Sequence, residues 1–289
     1  MRRGILIFFF FIMGCSQISS PNLSNEKAIK HWSKLTLREK VAQMIMVRIR
    51  GDFYSKEHWY RKSLKKWISK DGIGGIITFG GSIHGTFYNI STFQSWAKIP
   101  LLVSADYERG LGQWMRGATL FPSNMAVAAT GNPNLSYQQG EVTAKEAKAM
   151  GVHITLSPVL DVNNNPENPI INFRSYSDDP GIVIDYGNAF IKGVQDGGLY
   201  ACAKHFPGHG NTNMDSHSTL PSINGTREEL EEIELKPFKS AIENGVKMIM
   251  VGHIAMPGLD PSNIPASYSK IITTGLLRDK WGFKGLIIT

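Results

Sequence analysis

The sequence predicts an α/β fold of the (β/α)8, or TIM-barrel, type. Three observations predict it. Short apolar runs alternate with helical stretches along the 289 residues. The runs are apolar at consecutive positions, as in the strands of a parallel sheet covered on both faces. Polar residues also recur where the runs end: Asp106, Asp161, Lys204 with His205, and His253. In parallel barrels that C-terminal edge carries the chemistry. Seven strand-like runs can be counted, against eight in a closed barrel. No Gly-x-Gly-x-x-Gly follows the first run and there is no phosphate loop, which disfavours a nucleotide-binding doubly wound sheet.

The elements follow in order. Thr36-Leu37-Arg38-Glu39 forms a capping-box pattern, so the stretch after it starts as helix before "VAQMIMVRI" turns into strand. A helix over Leu64 to Lys70 stops at Gly72. "GGIITFG", bounded by glycines, reads as a buried strand. A helix near Tyr88 to Ala97 leads to "IPLLVSAD", a strand ending on a carboxylate. Asn132-Pro133 opens a long helix to Met150, closed by Gly151. "HITLSPVLDV" is the next strand. Asp179-Pro180 begins a helix with Val183, Tyr186, Phe190 and Val194 on one face, ended by Gly197 and Gly198. "LYACAKHF" is a strand. Thr226-Arg227-Glu228-Glu229 starts a helix that Pro237 rephases and Asn244-Gly245 ends. "KMIMVGHI" is a strand, a last helix runs near Ser267 to Asp279, and "GLIIT" closes the sequence.

At 42% hydrophobic and 19% charged residues, the composition suits a globular protein with a sizeable core. The N-terminus predicts a leader over residues 1–15. "MRRGILIFFFFIMGC" has two Arg, an apolar run too short to span a bilayer, then Gly14 and Cys15. "IMGC" resembles a bacterial lipobox, which makes Cys15 the expected lipidation site and a membrane-anchored place in the bacterial cell envelope the expected location. Residues 16–34 then read as a polar tether and the start of the domain, and 35–289 as the barrel. The net charge of +7 falls to +5 once Arg2 and Arg3 leave with the leader. This modest basic excess suits anionic surroundings. Nucleic acid is not an expected partner: the basic run Arg61 to Lys70 places Leu64, Trp67 and Ile68 at helical spacing, so its charges read as the wet face of a helix. With Cys15 carrying lipid, Cys202 stands alone in an apolar strand, where a Cys is usually a small buried hydrophobe.

The richest stretch is "KHFPGHGNTNMDSH", Lys204 to His217. His205, His209, Asp215 and His217 could be read as metal ligands, but Pro207, Gly208 and Gly210 forbid a helix that would align the first two. The alternative is an acid/base pair. Asp215 and His217, one residue apart, can meet across a tight turn, where the carboxylate holds the ring's tautomer and favours its protonated form. A His so placed can protonate a leaving group and later take a proton from water. The glycines would let the loop close over a substrate.

"KHFPGHG" followed by "DSH" resembles the signature of glycoside hydrolase family 3, in its β-N-acetylglucosaminidase branch. The resemblance extends to "SPVLDV", "FRSYSDDP", "MIMVGHI" and "WGFKGLIIT", and covers about Leu35 to Thr289. It implies a (β/α)8 barrel, hydrolysis with retention, and β-linked N-acetylglucosamine substrates such as peptidoglycan fragments. No metal or other cofactor is implied. His217 would be the acid/base and Asp215 its partner, in place of one of the two carboxylates usual in retaining glycosidases. Sugar-binding positions carry over to Asp106, Arg174, Lys204 and His205. A further family Arg maps best to Arg116, although "DYERGLGQWMR" is about two residues longer than the family spacing. Bottom-up, Asp106 could accept from two hydroxyls, and Arg174 and Lys204 could donate to hydroxyl or carbonyl groups. Each could instead belong to a structural ion pair.

The family's nucleophile is an Asp directly after a run like "GLIIT", so the resemblance places it just beyond Thr289 and implies a record truncated after strand seven. Two competing readings stand beside the hydrolase: an envelope lipoprotein that holds sugars without cleaving them, and a phosphorylase in which inorganic phosphate replaces water. Intact Asp215 and His217 speak against the first, because a binder has no use for a proton shuttle. For the second, a His tolerates incoming phosphate where a carboxylate would repel it.

Overall fold

A computed structural model describes residues 32–215 and 219–289. Cys15 with the expected leader, and His217, lie outside the described residues.

Seven parallel strands pair in strict chain order, β1 to β7, in one curled sheet. They are β1 (Met46–Gly51), β2 (Gly75–Gly81), β3 (Leu102–Ala105), β4 (Ile154–Thr155), β5 (Tyr200–Phe206), β6 (Met248–Val251) and β7 (Leu286–Ile288). Helices connect them: α1 (Leu37–Ala42) before β1, α2 (Trp59–Lys66), α3 (Ile83–Gln94), α4 (Asn124–Ala128) and α5 (Pro133–Ala149), α6 (Pro180–Asp196), α7 (Arg227–Glu232) and α8 (Lys236–Glu243). This is the α/β barrel-type order that the alternation of runs predicts.

The starts and stops have local causes. Thr36 and Glu39 bond reciprocally at the start of α1, and Thr226 and Glu229 do the same at α7. Pro133 and Pro180 occupy first-turn positions behind Asn132 and Asp179, whose side chains accept from the opening N–H groups. The basic helix begins earlier than predicted, at Trp59, and continues through a wider π-type turn, Trp67–Asp71, to Gly72 at φ 75°. Leu64 and Ile68 are buried beneath it, as expected for a helix with a wet basic face. The last connection also differs: Ile271–Lys280 is π-type throughout.

Two apolar clusters flank the sheet. The larger packs it against the helices and includes Ile49, Ile76, Val103, Phe190 and Phe238. The smaller, Ile154, Leu156, Cys202 and Met248, lies on the opposite face with Ile77, Met250 and Ile288. Burial pushes the Cys202 thiol up to about 12, so it is a packing group and not a nucleophile.

β4 is shorter than "HITLSPVLDV" suggests, because Pro158 has no N–H to give to the ladder. The chain nevertheless stays beside β5. The Leu160 N–H donates to the Lys204 carbonyl at 2.7 Å, and the Lys204 N–H donates to the Pro158 carbonyl at 3.1 Å. This carries Asp161 to the same level as the end of β5.

Candidate active site

The C-terminal ends of the strands open onto one cavity of about 740 Å³. β3 delivers Asp106 and Glu108 to it, β5 delivers Lys204 and His205, and the turn after β6 delivers His253. Arg174, from the long loop between β4 and α6, and His209 also line it. Leu156, Ile77 and Met250, from the smaller apolar cluster, support the polar groups from below.

Four charges form the floor. Lys204, only 2% exposed, holds Asp106 Oδ1 and Glu108 Oε1 with its Nζ, each at 2.7 Å. Glu108 in turn takes a two-pronged grip from Arg174: Nη2 to Oε1 at 2.7 Å and Nε to Oε2 at 3.0 Å. Arg174 is braced by its Nη1, which donates to the Ile170 carbonyl at 3.1 Å. Two cations and two carboxylates balance, which lets them stand together where water is scarce. Burial alone would raise the Glu108 carboxyl, but Lys204 and Arg174 hold it well below the usual carboxylate range. Burial would likewise strip Lys204 of its proton, yet Asp106 and Glu108 keep the ammonium charged. Asp106 is the more open of the two carboxylates, 21% exposed against 5% for Glu108. Its Oδ2 has no protein partner among the described residues and can accept from a ligand hydroxyl.

A second network fixes the loop after β5. Asp161 is fully buried and accepts from three donors: the backbone N–H of His205, the backbone N–H of His209 at 2.7 Å, and His205 Nδ1 at 2.7 Å. Burial would raise the Asp161 carboxyl, but His205 leads the groups that lower it, so it is ionised and can only accept. His205 therefore carries its proton on Nδ1 when neutral, which leaves Nε2 as an acceptor. Burial lowers the His205 pKa in spite of Asp161. Buried Asn168 fastens the same loop: its Nδ2 donates to the His209 and Gly210 carbonyls at 2.7 and 2.8 Å. Gly210 passes so close to the β4 end that a Cβ would lie 1.6 Å from the Val162 carbonyl oxygen.

The structure thus gathers Asp106, Arg174, Lys204 and His205 around one cavity, as the strand ends suggest. It does not bring Arg116 there. The Arg116 guanidinium is 73% exposed and reaches Asp52 at 3.3 Å, because its backbone pairs with the end of β2. The Arg of the loop after β3 that does line the cavity is Arg109. Asp215 lies farther along the loop, where its carbonyl accepts from the Thr219 N–H at 3.0 Å. Sequence reasoning passed over Glu108, Arg109 and Asn168. Glu108 had a signal, a second carboxylate two residues after the first at the same strand end. Asn168 had none.

A parallel α/β sheet with a balanced charge cluster on the C-terminal side of its strands has the layout of a barrel enzyme. The glycosyl hydrolase family 3 N terminal domain matches residues 36–289, and the chain belongs to that family. It is 34% identical over 255 residues to beta-hexosaminidase A of Pseudoalteromonas piscicida, an alignment covering 78% of this chain and 42% of that protein. It is 35% identical over 227 residues to a beta-N-acetylglucosaminidase/beta-glucosidase of Cellulomonas fimi, with 75% and 40% covered. Among solved structures, the family 3 beta-N-acetylglucosaminidase from Paenibacillus sp. str. FPU-7 superposes with a TM-score of 0.82 at 37% identity, over 88% of this chain and 48% of that one. The beta-glucoside phosphorylase BglX superposes with a TM-score of 0.84 at 30% identity, over 92% and 49%. The chain spans less than half the length of these four relatives.

Proposed function

We propose that this chain forms the sugar-binding and proton-transferring part of a retaining β-N-acetylglucosaminidase that removes terminal β-linked N-acetylglucosamine, with peptidoglycan fragments as substrates. The observation that carries the reading is the charge-balanced floor, Asp106–Lys204–Glu108–Arg174. It offers a neutral sugar both acceptors and donors without presenting net charge, and Lys204 and Arg174 hold the carboxylates in place before any ligand arrives. The names of the hexosaminidase relatives point the same way.

In this reading Asp106 and Arg174 orient the terminal sugar, and His205 presents Nε2 to it. β7 brings Thr289 to the cavity wall, and in this reading the nucleophile is an Asp carboxylate that follows it. As that carboxylate forms its bond to the anomeric carbon, the His217 imidazolium gives its proton to the departing oxygen. In the second half the neutral ring takes a proton from water, whose oxygen displaces the carboxylate and restores the starting configuration. Asp215 orients the ring in both halves. A lipid on Cys15 would hold the protein at the cell envelope, close to wall polymers.

The test is the full-length protein on an aryl β-N-acetylglucosaminide, with the product anomer followed by NMR. β-Configured product supports the reading, and α-configured product or no turnover removes it. The likeness to BglX favours a second reading, transfer to phosphate. It would show in the same assay as sugar 1-phosphate.

A further inference from the structure

We propose that Arg109 selects substrates whose leaving sugar carries a carboxylate. The inference rests on the glycosidase reading and names the kind of leaving group that site takes. Every other strong charge at the cavity floor is matched: Lys204 and Arg174 face Asp106 and Glu108, and Asp161 is committed to His205 and His209. Arg109 lines the same cavity, yet no carboxylate among the described residues lies within ion-pair distance of it. Its Nε donates to the Phe121 carbonyl at 3.3 Å, which sets the plane of the guanidinium and leaves both Nη groups for a ligand. A held guanidinium suits a bidentate bond to a carboxylate.

Arg109 stands among the less buried groups of the cavity lining. Lys204 and Glu108 are buried at the floor, Asp106 and Arg109 are intermediate, and Trp114 and Phe173 are 37% and 51% exposed on the same lining. Trp114 is steadied edge-on against Phe79, with ring centroids 5.2 Å apart. A disaccharide with its terminal sugar on the floor would lay its second sugar against these aromatic side chains, beside Arg109. A neutral second sugar uses the aromatic faces alone, whereas an acidic one also neutralises the guanidinium.

The experiment uses the full-length protein and three disaccharides with a terminal β-linked N-acetylglucosamine. In the first, the second sugar carries a lactyl ether carboxylate. The second is the methyl ester of the first, and the third is neutral diacetylchitobiose. At low ionic strength kcat/KM for the acid should exceed that for its ester by about 10- to 100-fold. Arg109→Gln should collapse that ratio toward one, and Arg109→Lys should keep part of it. The acid-to-ester comparison is made on the wild type, so it stands even where a variant folds poorly. Equal rates for acid and ester, or a ratio that survives Arg109→Gln, overturns the proposal. So does sugar 1-phosphate whose formation depends on Arg109, since the guanidinium then serves the acceptor. If neither these disaccharides nor an aryl glycoside is cleaved, the glycosidase reading has failed. Calorimetric affinities for the acid and the ester then decide the role of Arg109 by the same ratio.

Discussion

Lys204 Nζ lies 2.7 Å from Glu108 Oε1, and the two side chains are only 2% and 5% exposed. Neither charge is tolerable alone at that depth. Lys204→Met would leave two carboxylates facing Arg174 alone, and Glu108→Gln would leave Arg174 without a carboxylate partner. Each should cost about 3–5 kcal/mol in equilibrium urea unfolding. A loss under about 1 kcal/mol for both would mean that the floor is solvated and the network is not a structural unit.

The same pair makes a prediction about acid. The folded-state pKa of Glu108 lies below its ordinary value of 4.5. Its stabilisation is therefore complete above that value and is lost as pH falls below it toward the folded pKa. The stability gap between wild type and Glu108→Gln should be constant from pH 7 to about pH 5 and shrink toward pH 3. Denaturant midpoints at four pH values would check this, and a gap that widens in acid contradicts it.

His205 titrates in a different window. Its folded pKa lies below the ordinary 6.5, so the unfolded chain binds the proton more readily. The neutral ring's contribution is complete above 6.5 and declines as pH falls through that value. His205→Gln lacks this proton, so its deficit relative to wild type should be smaller at pH 5.5 than at pH 7.5. Asp161→Asn should be worse than either, because three donors lose a charged acceptor at once. An Asp161→Asn variant as stable as wild type would show that the loop after β5 is held by other contacts.

How much of this was legible in the sequence depends on which residues a strand end fixes. Asp106, Lys204 and His205 directly follow or end apolar runs, and the direction of a parallel strand sends them all to one edge. The period alone thus predicts their convergence. Arg109 and Arg116 sit in the loop after β3, where no period operates. Which Arg turns inward depends on the Arg116 N–H joining the Gly81 carbonyl, a contact between segments far apart in sequence. Asn168 lies in a loop as well, and its importance comes from the carbonyls it meets on another loop. The weak β4 ladder was hidden for the opposite reason. "HITLSPVLDV" has a strong apolar pattern, but Pro158 removes the hydrogen bond that the pattern assumes.

The proposed lipid anchor does not depend on the barrel. Two Arg, a short apolar run and "IMGC" lead to the proposal that Cys15 is acylated. Cells fed an alkynyl fatty acid should label the wild type and leave Cys15→Ser unlabelled. Mature wild-type protein that carries no label and accumulates in the medium would remove the anchor.

The acid/base proposal makes the most specific demand. If His217 protonates the departing oxygen, its removal hurts most where the leaving group is a poor one. His217→Ala in the full-length protein should lower kcat/KM on a disaccharide by about 10²-fold or more. A nitrophenyl glycoside, whose phenolate departs with little help, should lose much less. Azide, which needs no base to attack the glycosyl intermediate, should restore turnover of the nitrophenyl substrate and yield the β-glycosyl azide. Asp215→Asn should move both substrates in the same direction by a smaller factor, since the ring loses its orienting charge but keeps its nitrogen. A variant that loses both substrates equally, with no azide product, would show that His217 shapes the loop and that the proton comes from another group.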